Sequence, residues 1–268
     1  MTVPDRKADR WLRRFATPSP ERTKLICFPH AGGSAAWYFP LSRALAGSVD
    51  VVGVQYPGRL DRYADPLIDD VATLADEIFE VLRQETGSEI ALFGHSMGSV
   101  LAYEVARRLQ EASTPVAHLF VSGRYAPDVS RSAQLHLLDD DSFVAAVEAM
   151  GGVPAGALHT QQAREMFLPP MRSDYRAIES YRHNAEVPLT VHISVLTGDR
   201  DPMVSPEEAS GWCRHTSGRC AVEVFSGEHF YLEHHWSDAA KVIIDRLLRG
   251  RSSAARTTRS AQSNRGRR

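Results

Sequence analysis

The chemistry of this chain starts at Ser96, in the stretch "ALFGHSMGSVLAYEVARRL" spanning residues 91–109. Gly94 and Gly98 flank it in a G-x-S-x-G pattern, at the point where an apolar run gives way to a helical one. A serine hydroxyl becomes a useful nucleophile only when a base removes its proton. A strand, a sharp turn and a helix in immediate succession lift such a hydroxyl above a sheet, and the turn needs small neighbours. The helix N-terminus beneath it adds positive potential where negative charge would develop. Ser96 is therefore the candidate nucleophile.

The partners must come from later in the chain. In the hydrolase order that accompanies this turn, an acid follows the serine and a histidine follows the acid. "TGDRDPMV" leaves the strand candidate 189–198, and "SGEHFYLEHHW" leaves the candidate 219–227. Of the 11 histidines, His229 is best placed, in a loop directly after a strand. His234 and His235 read as the start of the last helix, and His30 as a structural residue of a glycine-containing loop. Asp199 and Asp201 both follow their strand. Turn chemistry favours Asp201, set further out before Pro202, with Asp199 turning the loop. An oxyanion would need two donors: the Met97 amide after the nucleophile, and an amide from the loop "FPHAGGSAAWYFP", for which Ala31 is the choice.

These side chains require a scaffold. Six apolar runs, 23–30, 49–57, 89–95, 116–123, 189–198 and 219–227, alternate with helical patterns such as 69–85, 97–112 and 236–248. That alternation predicts an α/β fold with a mostly parallel sheet flanked by helices. The runs are nearly continuous in apolar character, as strands covered on both faces should be. Residues 128–187 break the rhythm with helical segments and no strand, which predicts a helical lid over the sheet's C-terminal edge. The expected organisation is a lead over 1–22, one domain over 23–249 and a tail over 250–268.

Composition narrows the function classes. At 268 residues and 43% hydrophobic, the chain suits one large domain with a substantial core. No stretch reaches the ~20 apolar residues needed to span a bilayer, and the first residues lack a signal-peptide apolar region. A cytoplasmic protein is expected, with no membrane partner. The three cysteines show no metal-ligand spacing, and their odd count argues for unpaired thiols rather than a disulfide or a zinc site. Neither metal nor cofactor is expected. From Arg246 onward there are eight arginines and no acid; subtracting those eight from the net −2 leaves −10 on residues 1–245. The Ser- and Arg-rich tail is expected to stay unordered. It lacks the aromatics and motifs of a nucleic-acid binder, so no nucleic acid is expected.

Together, "FPHAGGSAAWY", "QYPGRLDRYADP", "LFGHSMGSVLAYEVARRL", "TGDRDPMV" and "FSGEHFYLEHH" resemble the type II thioesterases of polyketide synthase and non-ribosomal peptide synthetase pathways, within the α/β-hydrolase superfamily. The resemblance covers about residues 20–248. It implies a lidded α/β-hydrolase, acting in trans as a monomer, that hydrolyses acyl groups from the phosphopantetheine arm of carrier proteins to clear stalled chains. It also implies Ser96, Asp201 and His229 as the triad, with Ala31 and Met97 as oxyanion donors. Two other enzyme readings share the elbow and triad: a small-molecule serine esterase or lipase, and a product-releasing thioesterase. A non-catalytic binding protein on the same fold would have no use for the complete Ser, Asp and His set.

Overall fold

The computed structural model describes residues 6–85 and 88–265, with side chains from Lys7 through Arg249. Seven strands form one sheet: β1 (Leu12–Arg14), β2 (Lys24–Phe28), β3 (Asp50–Val54), β4 (Ile90–His95), β5 (Val116–Ser122), β6 (Ile193–Gly198) and β7 (Cys220–Phe225). Their spatial order is β1-β3-β2-β4-β5-β6-β7. Only the β1–β3 pair is antiparallel; the other pairs are parallel. All six expected strands form. The seventh, β1, lies inside the expected lead, where three residues are too few to show a period.

Side-chain alternation along the strands splits the core in two. Ile26, Phe28, Leu92, Leu119 and Val121 face one way, toward α1 (Arg6–Trp11), α3 (Val71–Leu82) and α4 (Met97–Glu111). Leu25, Cys27, Ala91, Phe93 and Phe120 face the other way, toward α2 (Phe39–Ala44) and α8 (Leu232–Arg265). α3 begins where the Asp70 carboxylate accepts the Thr73 N–H. It buries Val71, Leu74, Ala75, Ile78 and Leu82, the stripe its periodicity predicts. Such a sheet carries its C-terminal loops at one rim, where ligand sites of this class form.

Between β5 and β6 lie α5 (Asp140–Ala149) and α6 (Gln161–Ser180), with no strand among the described residues of that span. Phe143, Val147, Leu158 and Leu168 form an apolar cluster of their own. Farther along α6, Ala177 and Ile178 join the main core. The short α7 (Pro206–Ser210) opens with a capping box between Ser205 and Glu208.

One expectation needs correction. Cys213 and Cys220 are joined by a disulfide, and only Cys27 is a free thiol, buried in the core. The chain reverses after Thr216, which bridges Leu189 beside β6, and β7 returns with its first residue 5.4 Å (Cα to Cα) from Cys213. A separation of seven residues has no sequence signature; the reversal makes the pair. α8 bends at His235. Of the expected tail, the side chains of residues 250–265 and the whole of residues 266–268 lie outside the described residues.

Candidate active site

Ser96 sits between β4 and α4 with φ 54° and ψ −118°, a backbone conformation rarely adopted by a residue with a side chain. Its N–H donates to the Ser122 carbonyl at 2.8 Å, and its carbonyl accepts the Ser99 N–H at 3.0 Å. The two glycines are sterically required. A Cβ on Gly94 would lie 2.0 Å from the Gly98 carbonyl oxygen, and one on Gly98 would lie 1.9 Å from the Phe28 oxygen. The elbow is thus pressed against the end of β2, where the loop carrying Ala31 begins. Met97 starts α4 and is fully buried, while Ala31 is half-buried.

His229 and Asp201 come from separate loops after β7 and β6. The His229 Nδ1 lies 2.9 Å from Asp201 Oδ2, and both residues are buried. A carboxylate can only accept, so Nδ1 donates and Nε2 keeps its lone pair for another proton. The other Asp201 oxygen accepts the Met203 N–H at 2.8 Å, which fixes the carboxylate. Asp199 serves the loops instead, since its carboxylate accepts the Gly227 N–H at 2.8 Å and ties the two together. Ser96 and His229 share a border. Ser96 hydrogen-bonds Ser122, and a Cβ added to the next residue, Gly123, would lie 3.4 Å from His229 Cε1.

Around this centre lies an aromatic shell that sequence reasoning missed. The His95 ring stacks on Trp37 at 5.0 Å and approaches His229 at 5.1 Å. Its Nδ1 is 2.9 Å from the Ser122 hydroxyl, which is 2.7 Å from the Tyr231 hydroxyl. Burial first, with the neighbouring His229 and His30 adding to it, holds His95 well below the usual imidazole range. The His30 ring packs against Trp37 and Phe230. Burial first, with His229 and Arg59 adding to it, pushes its pKa down to about 3. His30 is therefore neutral and packed, in keeping with a structural role.

The α5–α6 segment packs against these residues. Gly151 and Gly152, just after α5, would place Cβ atoms 3.5–3.6 Å from the Phe230 ring, the neighbour of His229. A cavity of about 380 Å³ lies where the segment meets α4 and the loops after β5 and β6, lined by Val100, Tyr125, Met150, Tyr175, Ile178 and Met203 among others. Its walls are mostly apolar, and two of them, Val100 and Met203, adjoin the elbow helix and the Asp201 loop. No cluster of three or more metal-ligating side chains occurs among the described residues.

A second buried constellation was also missed. Asp174 of α6 binds Arg59 at 2.6 Å and the Gly32 N–H at 2.8 Å. Arg59 lies in "QYPGR", but nothing local marks Asp174, whose partner is 115 residues away.

A protein-family model for the thioesterase domain matches residues 23–247. A Streptomyces griseus protein named as a probable cadicidin biosynthesis thioesterase is 42% identical over 235 residues, covering 88% of this chain and 65% of that protein. Thioesterase PikA5 of Streptomyces venezuelae is 39% identical over 242 residues, covering 89% of this chain and 85% of its own length. Among solved structures, the type II thioesterase BorB from the borrelidin biosynthetic cluster matches with a TM-score of 0.81 and 42% identity, covering 89% of this chain and 97% of BorB. A lipase-esterase related protein from Clostridium acetobutylicum, 14% identical with a TM-score of 0.66, shares the fold.

Proposed function

Because this chain belongs to the thioesterase family of α/β-hydrolases, we propose that it hydrolyses acyl thioesters from the phosphopantetheine arm of carrier proteins, clearing stalled or aberrant chains during polyketide or non-ribosomal peptide assembly. The observation that carries this reading is the strained Ser96 turn at the head of α4, with φ 54°.

The Ser96 Oγ attacks the thioester carbonyl carbon while His229 Nε2 takes its proton. The carbonyl oxygen becomes an oxyanion between the Ala31 and Met97 amides, and one such donor is typically worth about 2.7–4 kcal/mol of barrier. Collapse breaks the C–S bond; the pantetheine sulfur leaves with the proton from His229, and the acyl group stays on Ser96. Water then attacks the acyl-enzyme, giving its proton to His229, which returns it to Ser96 as the carboxylic acid departs. Asp201 holds the imidazole in the working tautomer and stabilises its cation in both halves. A thiol leaves readily, so this chemistry draws mainly on nucleophile activation and oxyanion stabilisation. The single chain supplies all five residues, in keeping with a monomer acting in trans, and its basic C-terminal stretch offers positive charge to an acidic carrier.

The test compares acetyl, propionyl and longer acyl groups on a carrier protein with the same groups on simple alcohols. Carrier-bound thioesters should show the higher kcat/KM, because arm and carrier contacts position the carbonyl. Equal or faster hydrolysis of the free esters would make the protein an esterase.

A further inference from the structure

The loop with the proposed oxyanion donor Ala31 is not held by its own strand alone. On one side the Gly33 N–H donates to the His30 carbonyl at 2.9 Å, closing a turn around Ala31. On the other, the Gly32 N–H donates to Asp174 Oδ2 at 2.8 Å. That carboxylate belongs to α6, in the segment that packs against the site. The same oxygen accepts Arg59 Nη2 at 2.6 Å, and this nitrogen also reaches the Pro170 carbonyl on α6 at 3.4 Å. The two side chains are 8% and 4% exposed. Gly32 has φ +77°, and a Cβ there would come 2.7 Å from Met171 Cγ, so α6 rests directly on the loop. The Arg59 segment is itself tied down: Tyr56 donates to the Pro29 carbonyl at 3.1 Å, and Gln55 bridges the Ala35 N–H and the Arg59 carbonyl.

We propose that Asp174 is a positioning residue whose carboxylate, carried on α6 and held by Arg59, orients the Ala31–Gly32 peptide. The oxyanion site is then complete only while α6 is seated. This rests on the serine-hydrolase reading of Ser96. The Gly32 N–H belongs to the peptide after Ala31, and the Gly33 bond to the His30 carbonyl holds the peptide before it, which carries the Ala31 N–H; pinning both planes sets the direction of that donor. Stability alone accounts poorly for the pair, since apolar residues of similar volume serve a core at least as well as a buried ion pair. The segment has the build of a moving part. Its first half packs in a separate apolar cluster, while Ala177 and Ile178 anchor the far end of α6 in the main core. Tilting about that anchor would withdraw Asp174 and release the loop.

Two double variants isolate the hydrogen bond. R59M/D174N and R59M/D174L both remove the ion pair with little change in volume, and only the first keeps an acceptor for Gly32. With a small acyl thioester, the Leu variant should show kcat about tenfold or more below the Asn variant, with KM and Tm alike, the sign of an interaction that matters mainly in the transition state. Equal kcat, with fluorophosphonate still labelling Ser96 in both, would overturn the coupling and leave the serine-hydrolase reading standing. Hydrolysis that survives Ser96→Ala would overturn both. Should the double variants fail to fold, hydrogen exchange on the wild-type protein decides. A phosphonate on Ser96, whose P–O⁻ stands in for the oxyanion, should protect 30–35 and 168–175 together. Protection of the first segment without the second would overturn the coupling.

Discussion

His229 Nδ1 and Asp201 Oδ2 meet at 2.9 Å across two loops whose residues are 28 apart in sequence, in a pocket that leaves the carboxylate fully buried. Asp199, two residues earlier, is exposed and spends its carboxylate on the Gly227 N–H. The two aspartates should therefore respond differently to amidation. Asp201→Asn replaces an acceptor that fixes the histidine tautomer and should lower kcat by roughly 10³- to 10⁴-fold. Asp199→Asn keeps an oxygen acceptor for Gly227 and should leave kcat nearly unchanged. Steady-state hydrolysis of one thioester by both variants checks this; a greater loss in Asp199→Asn would mean the wrong acid has been assigned.

Ser96 should be needed for turnover and dispensable for folding. Ser96→Ala should lose hydrolysis and fluorophosphonate labelling with little change in Tm. Ser96→Gly should be equally inactive yet more stable than Ser96→Ala by about 1 kcal/mol, because glycine tolerates φ 54° without the strain a Cβ imposes. Urea unfolding of the two inactive variants reads that difference, and an Ala variant as stable as the Gly variant would show that the turn stores no strain.

Acid should destabilise the fold through buried neutral histidines. Burial pushes both His30 and His118 down from the ordinary 6.5 to about 3, with neighbouring positive groups adding to it. Between those values the unfolded chain takes up a proton that the folded chain refuses. Stability is therefore greatest above about 6.5 and falls as pH drops toward 3, by about 1.4 kcal/mol per pH unit for each such histidine. His118 lies away from the proposed site, against Ser194 at 2.9 Å, so His118→Gln should flatten the pH dependence by one proton without altering kcat. Urea titrations from about pH 7.5 to about pH 5 would measure it; an unchanged slope would refute the assignment.

The arginine-rich end should matter for encounter rather than chemistry. Leu247 is the last side chain of the described core. Ending the chain after Arg249 should therefore leave Tm and hydrolysis of small thioesters unchanged. Removing that much positive charge should slow kcat/KM on an acidic carrier protein at low salt, with the difference vanishing as salt rises. A ratio of one at every salt concentration would deny the end any steering role.

Some of this protein could be read from the chain because it is local. The elbow at Ser96 needs small residues at Gly94 and Gly98 within two positions of the serine. The parallel strands show as apolar runs because both of their faces are covered, and the α3 stripe appears as helical spacing from Val71 to Leu82. The order of Ser96, Asp201 and His229 follows from loops that leave one rim of the sheet. Other features depend on contacts between distant residues, and there the tertiary structure decided. Asp201 rather than Asp199 reaches His229 because of how the loops after β6 and β7 cross. Cys213 finds Cys220 because the chain turns back to enter β7. β1 exists because Leu12, Arg13 and Arg14 find an open edge on β3. Asp174 meets Arg59 and Gly32 because α6 lies across the oxyanion loop, a placement set by packing over more than 100 residues of separation, which no local spacing can encode.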